Sequence, residues 1–157
     1  MTKIEYQDGT TEEYGYDEWQ NCIYEKNRRD AVSRRTFTED GHKIKEEFAN
    51  GLIINYAYDG NGNCTKEWDN AGGCTRYRYD YLDRLIWVRD PLGREKTFIR
   101  DGRGNVLRES LLAKRTIPET AVPEIRSTYD ANDHLLETIY PDGGIWKECV
   151  GFPGKSA

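Results

Sequence analysis

The chain has 157 residues, enough for one domain around a single core. Its 23 Lys+Arg against 28 Asp+Glu leave a formal charge of −5, mildly acidic and mixed, which gives no reason to expect a nucleic-acid partner. No apolar run approaches the roughly 18 residues a membrane helix needs, and the opening MTKIEYQDGTTEEY lacks the apolar stretch of a signal peptide.

The predicted elements follow a period. Tyr16-Asp17-Glu18-Trp19-Gln20-Asn21 is the first copy of an aromatic residue followed by Asp and a turn. Phe37-Thr38-Glu39-Asp40-Gly41-His42 comes next, then Tyr58-Asp59-Gly60-Asn61-Gly62-Asn63, Tyr79-Asp80-Tyr81-Leu82-Asp83-Arg84 and Arg100-Asp101-Gly102-Arg103-Gly104-Asn105. The Asp slot thus falls at 17, 38, 59, 80 and 101, always 21 apart. Tyr129-Asp130 follows after 29, one period plus an eight-residue insertion, and Val150 to Lys155 is a worn last copy. A second turn signal lies eleven residues before the Asp slot, as Asp69-Asn70-Ala71-Gly72 and Asp90-Pro91-Leu92-Gly93. Only its glycine survives at Gly9, Gly51 and Gly143. Asp accepts backbone N–H bonds two residues on, Pro pre-sets φ for a type I turn, and Gly takes the left-handed position that closes the loop. Turns every 10 or 11 residues leave about six for each strand, an ordinary strand length.

Between the turns the pattern alternates with period two. Tyr14 and Tyr16, Tyr56 and Tyr58, and Tyr77 and Tyr79 each share a face, with Arg76 and Arg78 opposite the last pair. Six residues after the Asp slot come Ile23, Ile44, Thr65, Ile86, Leu107 and Leu136; two further on stand Glu25, Glu46, Glu67, Val88, Glu109 and Thr138. The slot five beyond (Cys22, Lys43, Cys64, Leu85, Val106, Leu135) is also mostly apolar, which predicts partial burial on both faces near the turn. The 11 Tyr and 4 Trp supply rings to fill a core in a chain poor in aliphatics. The expected fold is all-β: about seven tandem hairpins making a continuous curved antiparallel sheet of 13 to 15 strands, a single array over residues 1–157 without a linker. The segment from Leu111 to Glu124, with Pro118 and Pro123, breaks the rhythm and reads as a surface loop or a docking loop.

Several chemical signals dissolve on inspection. Asp59 to Asn63 resembles the start of a calcium loop, but Cys64 stands where Gly is needed and Asn70 where the bidentate Glu belongs. Asn63-Cys64-Thr65 is formally a glycosylation sequon, yet Asn21 and Asn105 fill the same slot without one, so turn geometry explains it. His42 and His134 share a turn slot expected to face solvent, and no metal or cofactor is expected. Cys22, Cys64, Cys74 and Cys149 contain no C-x-x-C pair and read as partly buried thiols. No nucleophile motif or paired acid and base emerges, so no enzyme is expected. The rival to a scaffold is a carbohydrate-binding module in which Tyr56, Tyr77, Trp68 and Trp87 stack on sugar rings.

The unit Thr75 to Gly93, T-R-Y-R-Y-D-x-x-x-R-L-x-x-V-x-D-P-x-G, resembles the YD repeat of the RHS family, and weaker copies cover nearly the whole chain. That family includes bacterial polymorphic toxins, insecticidal toxin-complex subunits and teneurin adhesion proteins. The resemblance implies hairpins joined into a long sheet that spirals into a hollow shell around a toxic domain, or that supports adhesion. It makes Tyr16, Asp17, Tyr58, Asp59, Gly62, Tyr79, Asp80, Gly93, Asp101, Gly104, Tyr129 and Asp130 architectural. It implies a secreted or cell-surface setting, with further repeats, another copy, a toxin cargo or a surface glycan as partners. Seven repeats are too few to close a shell, so the chain reads as a fragment, a split gene product or a short orphan member.

Overall fold

The computed structural model describes residues 1–110, residues 113–114 by backbone alone, and residues 123–147. Cys149, the worn copy from Val150 and most of the insertion lie outside the described residues. The chain divides into two compact units, Met1–Arg76 and Tyr77–Ala157. Among the described residues all regular structure is β-strand, and no helix is long and apolar enough to cross a membrane. The first unit contains β1 (Thr2–Glu5), β2 (Thr11–Tyr16), β3 (Cys22–Lys26) and β4 (Val32–Phe37). It continues through β5 (Lys43–Glu47), β6 (Ile53–Tyr58) and β7 (Cys64–Asp69), and β8 (Cys74–Tyr79) runs across the division. The second unit holds β9 (Leu85–Arg89), β10 (Arg94–Arg100), β11 (Val106–Ser110) and β12 (Ala113–Lys114). It ends with β13 (Glu124–Tyr129), β14 (Leu135–Ile139) and β15 (Ile145–Lys147). Strands neighbour in chain order, except that β12 pairs back on β10 while β13 pairs with β11. The all-β hairpin array expected from the sequence is the fold observed.

Twelve turns share one hydrogen-bond pattern. The N–H of the first residue donates to the carbonyl of the fifth, and the N–H of the fourth returns to the carbonyl of the first. At Asp59 these bonds run to Asn63 O at 3.0 Å and from Gly62 N at 3.1 Å. The first residues are Tyr6, Asp17, Asn27, Thr38, Phe48, Asp59, Asp69, Asp80, Asp90, Asp101, Asp130 and Tyr140. Every positive φ falls on the fourth residue of one of these turns: eight glycines, plus Gln20, Asp30, Asp83 and Asp133. This is a type I turn followed by a left-handed residue, the three-residue hairpin loop. The turn at Asn27 escapes the glycine pattern because Asp30 takes the left-handed place at φ 58°. Where an aromatic opens the turn, the side-chain acceptor moves two residues on. Asp8, Asn50 and Asp142 then accept from the N–H of Thr10, Leu52 and Gly144 at 2.8–3.1 Å. The sequence signal was present as Asp or Asn directly before Gly9, Gly51 and Gly143.

The two adjacent apolar slots after the Asp have a different cause from burial on both faces. Register shifts occur in the hairpins turning at Asp17, Thr38, Asp59, Asp101 and Asp130. In each, the residue five beyond opposes the aromatic slot, as Cys22 opposes Tyr16, and the next residue is extra. Ile23, Ile44, Thr65, Leu107 and Leu136 are therefore bulge residues, two facing one across the ladder. Past the bulge, Glu25 pairs with Tyr14 and Glu67 with Tyr56.

No apolar side chain is fully buried among the described residues, so the expected ring-filled core is absent. Among the described residues most rings lie half-buried on the sheet, and Tyr16, Trp19, Tyr81, Tyr140 and Trp146 are exposed. The buried side chains are polar instead: Glu46, Ser110 and Thr138, at 7–8% exposure. Ser110 marks the break between β11 and β12, where its Oγ accepts the Thr97 N–H at 2.7 Å in place of a ladder carbonyl.

Candidate functional site

The recurrent polar arrangement in this molecule is at the turns that join the strands. At each Asp-led turn Oδ1 accepts backbone N–H bonds, and at all but Asp69, where Gly73 stands four residues on, Oδ2 holds the side chain at that place. Asp59 Oδ1 takes Asn61 N at 3.0 Å and Asn63 N at 2.9 Å, and its Oδ2 takes Asn63 Nδ2 at 3.3 Å. Asp17 clasps Asn21, Asp101 clasps Asn105, Asp80 clasps Arg84, Asp90 clasps Arg94 and Asp130 holds His134, all at 2.6–3.0 Å. These bonds hold the carboxyls below the ordinary Asp range. The leading cause is the Asn63 N–H at Asp59, the Arg84 guanidinium at Asp80, the Asn105 amide at Asp101 and the His134 N–H at Asp130. At Asp17 and Asp90 partial burial acts in the other direction and is outweighed by the donors of Asn21 and Arg94. Turns on one edge are also tied to each other. Arg28 reaches back to Thr10 at 2.9 Å and pairs with Asp8, and Asn70 Nδ2 donates to Gly51 O at 2.9 Å. Asn105 Nδ2 donates to Asp133 at 2.7 Å, joining turns separated by the insertion.

The aromatic slot before the Asp has a polar task. Tyr58 O–H donates to the Lys43 carbonyl of the preceding hairpin at 2.7 Å, and Tyr129 O–H to the Val106 carbonyl at 3.3 Å. Arg100 fills the same slot and reaches the Leu85 carbonyl at 3.4 Å. In all three cases the ladder to the next strand stops two residues short of that carbonyl, at Lys45, Arg108 and Trp87. In the hairpins turning at Thr38 and Asp101 the bulge strands a backbone acceptor that the phenol satisfies, and the Arg100 guanidinium does the same for the Leu85 carbonyl beyond the end of its ladder. Tyr16 and Tyr79 occupy the same slot. Gly62, Gly93 and Gly104 are left-handed residues, and a methyl on Gly62 would meet the His42 ring, which also packs at a tilt against Tyr58 with ring centroids 4.9 Å apart. His42 is thus a packed residue rather than one facing solvent, unlike His134, whose side chain is mostly exposed.

Sequence reasoning missed a charged cluster in the first unit. Arg35 bonds Glu25 and Glu46 at 2.8 Å each, and Lys43 pairs with Glu46 from the other side. Burial alone would raise the Glu46 carboxyl; Lys43 and Arg35 outweigh it and hold it low. Side-chain bonding to Glu25 and Glu46 likewise pushes the Arg35 guanidinium up. A signal existed, because residues three before and eight after the Asp slot are cross-strand partners: Tyr14–Glu25, Arg35–Glu46, Tyr56–Glu67, Phe98–Glu109 and Ser127–Thr138. Each Glu meets a phenol, a ring or a cation, and Ser127 meets Thr138 at 3.3 Å.

Within each unit, the two rings singled out for sugar stacking lie on opposite faces. In the first unit Tyr56 lies on the face of its partner Glu67, while Trp68 pairs with Asn55 on the other. In the second, Trp87 sits under the Arg78 guanidinium at 4.6 Å, opposite the Tyr77 side of β8. Lys66 covers Trp68 at 4.2 Å, and Trp87 Nε1 donates to Glu95 at 3.2 Å. Cys22, Cys64 and Cys74 are half-buried thiols, the Cys64 thiol pushed up by burial. Among the described residues no group of three or more His, Cys, Asp or Glu is placed to hold a metal.

Fold and joints together define a tandem hairpin-repeat sheet, held by its turns and bulges more than by a core. The RHS repeat family model matches residues 58–95, about a quarter of the chain. No curated protein matches it in sequence. Among solved structures the fold is similar to the Tc holotoxin pore of Photorhabdus luminescens, with a TM-score of 0.56 and 14% identity over 86% of this chain and 9% of that one. It is also similar to the TcdB2-TccC3 crystal structure, with a TM-score of 0.55 and 14% identity over 88% of this chain and 10% of that one. At this identity the likeness is one of fold, and the chain spans only 9–10% of the length of those it matches.

Proposed function

We propose that the chain is a structural segment of the wall of an RHS-type shell, one array over residues 1–157 with no catalytic role. On this reading the parent protein is a secreted or surface-exposed toxin-complex component. The observation that supports it is a sheet in which no apolar side chain is fully buried among the described residues, while all twelve described turns close with the same pair of backbone bonds and several are tied to a neighbouring turn. A wall needs fixed geometry more than a sealed core, and clasps and bulges supply it. The toxin-complex neighbours support the setting. Further repeats are the natural partners, because among the described residues β1 pairs only with β2 and β15 only with β14. Toxin cargo would lie against the finished wall. Light scattering on the purified chain across a concentration series tests this reading: association through the edges is expected, and a monomer at the highest concentration refutes it.

The carbohydrate reading draws support from the half-exposed rings of Tyr56, Tyr77, Trp68 and Trp87, and is weakened by the cations already on Trp68 and Trp87. A polysaccharide panel with Trp87→Ala and Tyr77→Ala decides it. Binding abolished with the fold intact would favour the sugar site.

A further inference from the structure

Five residues of the second unit form one row across its strands. Ile99 in β10 pairs with Arg108 in β11, Arg108 with Arg126 in β13, Arg126 with Ile139 in β14, and Ile139 with Ile145 in β15. Directly paired residues project to the same side of a sheet, so the row is a single stripe about 19 Å long at the usual strand spacing. All five are exposed, the isoleucines at 51%, 37% and 57% in chain order. The alternate residues of the same strands, such as Phe98, Glu109, Ile125 and Thr138, are covered to a greater degree.

Two features of the stripe do nothing for the isolated sheet. Arg108 and Arg126 stand directly opposite each other, and like charges in that position destabilise a pair. Arg126 has only a long contact to Glu124 at 3.4 Å, and Arg108 has no ion pair or hydrogen bond among the described residues. Glu137, the next carboxylate on this face, is engaged by Lys147 at 2.9 Å. Exposed isoleucines flank this positive centre on both sides.

We propose that the stripe docks an amphipathic helix of a partner polypeptide, laid across the strands, with two acidic residues one turn apart between aliphatic ones. The spacing selects a helix. Side chains one turn apart on a helix face repeat every 5–6 Å, close to the roughly 4.8 Å between strands. Same-face side chains of an extended peptide repeat about every 6.7 Å and fall out of step by roughly 8 Å over the five positions. The carboxylates sit over Arg108 and Arg126 and the aliphatic groups over Ile99, Ile139 and Ile145. The inference stands without the shell reading, since it depends only on this face of the second unit.

The test uses the full chain and a fluorescein-labelled helical peptide carrying Leu, Glu, Glu, Leu and Leu at successive turns, read by anisotropy. Binding is expected, weakened at least about tenfold when the peptide's two Glu become Lys or when the protein carries Arg108→Glu with Arg126→Glu. Pairing the Lys peptide with the doubly reversed protein is expected to restore it. The single variant Arg108→Glu is expected to keep the β-sheet circular dichroism spectrum and to raise the melting temperature, because it removes the like-charge pair. No binding of the acidic peptide, equal binding of both peptides, or a lower melting temperature for Arg108→Glu would each overturn the proposal.

Discussion

Replacing Tyr58 with Phe isolates the polar task of the aromatic slot, because the ring and its contacts with His42 stay while the O–H that reaches the Lys43 carbonyl at 2.7 Å is lost. A net intramolecular hydrogen bond contributes about 1 kcal/mol, and a carbonyl left half-buried without a donor adds a share of its desolvation, so the loss should be about 1–2 kcal/mol. For a chain of this length that lowers the melting temperature by about 2–6 °C. Tyr16 fills the same slot, is 45% exposed, and its O–H has no hydrogen bond among the described residues, so Tyr16→Phe should change stability by under about 0.3 kcal/mol. Phe37 offers the reverse experiment. By the register that sets Tyr58 against Lys43, Phe37 corresponds to Cys22, two residues beyond the Tyr24 at which the β3–β4 ladder ends, and Phe37→Tyr should supply a donor there for a gain of up to about 1 kcal/mol. Urea unfolding followed by Trp fluorescence measures all three. Equal losses for Tyr58→Phe and Tyr16→Phe, or a loss for Phe37→Tyr, would refute the claim that this slot caps a carbonyl stranded by the bulge.

Gly62→Ala should lose more than about 1 kcal/mol, since φ is +87° and the new methyl meets His42, whereas Gln20→Gly, at φ 68° in an exposed turn, should be stabilising; thermal melts distinguish them. The clasped aspartates titrate below their ordinary range when folded, so their contribution is fully present above about pH 4 and is lost as pH falls through the lowered values. Acid titration by circular dichroism should therefore show unfolding below that range, and Asp59→Asn should make the acid limb shallower. Glu46→Gln leaves Arg35 and Lys43 without their shared carboxylate and should cost about 1–2 kcal/mol by urea unfolding, discounted because both cations remain partly solvated.

The repeat was legible because turn chemistry is local. Asp at the first position and Gly at the fourth are read within five residues, and the same five residues make the turn's bonds, so the frame at 17, 38, 59, 80 and 101 carried straight into the structure. Tertiary structure alone decided what crosses between hairpins. That Ile23 is an extra residue rather than a buried one, that Glu46 is among the least exposed side chains, and that a tyrosine before an Asp serves a carbonyl fifteen residues earlier all depend on register. Register is set by pairing between strands, and a one-residue bulge changes every partner beyond it, so the recurring slot eight after the Asp finds its partner three before it only once the bulge is placed.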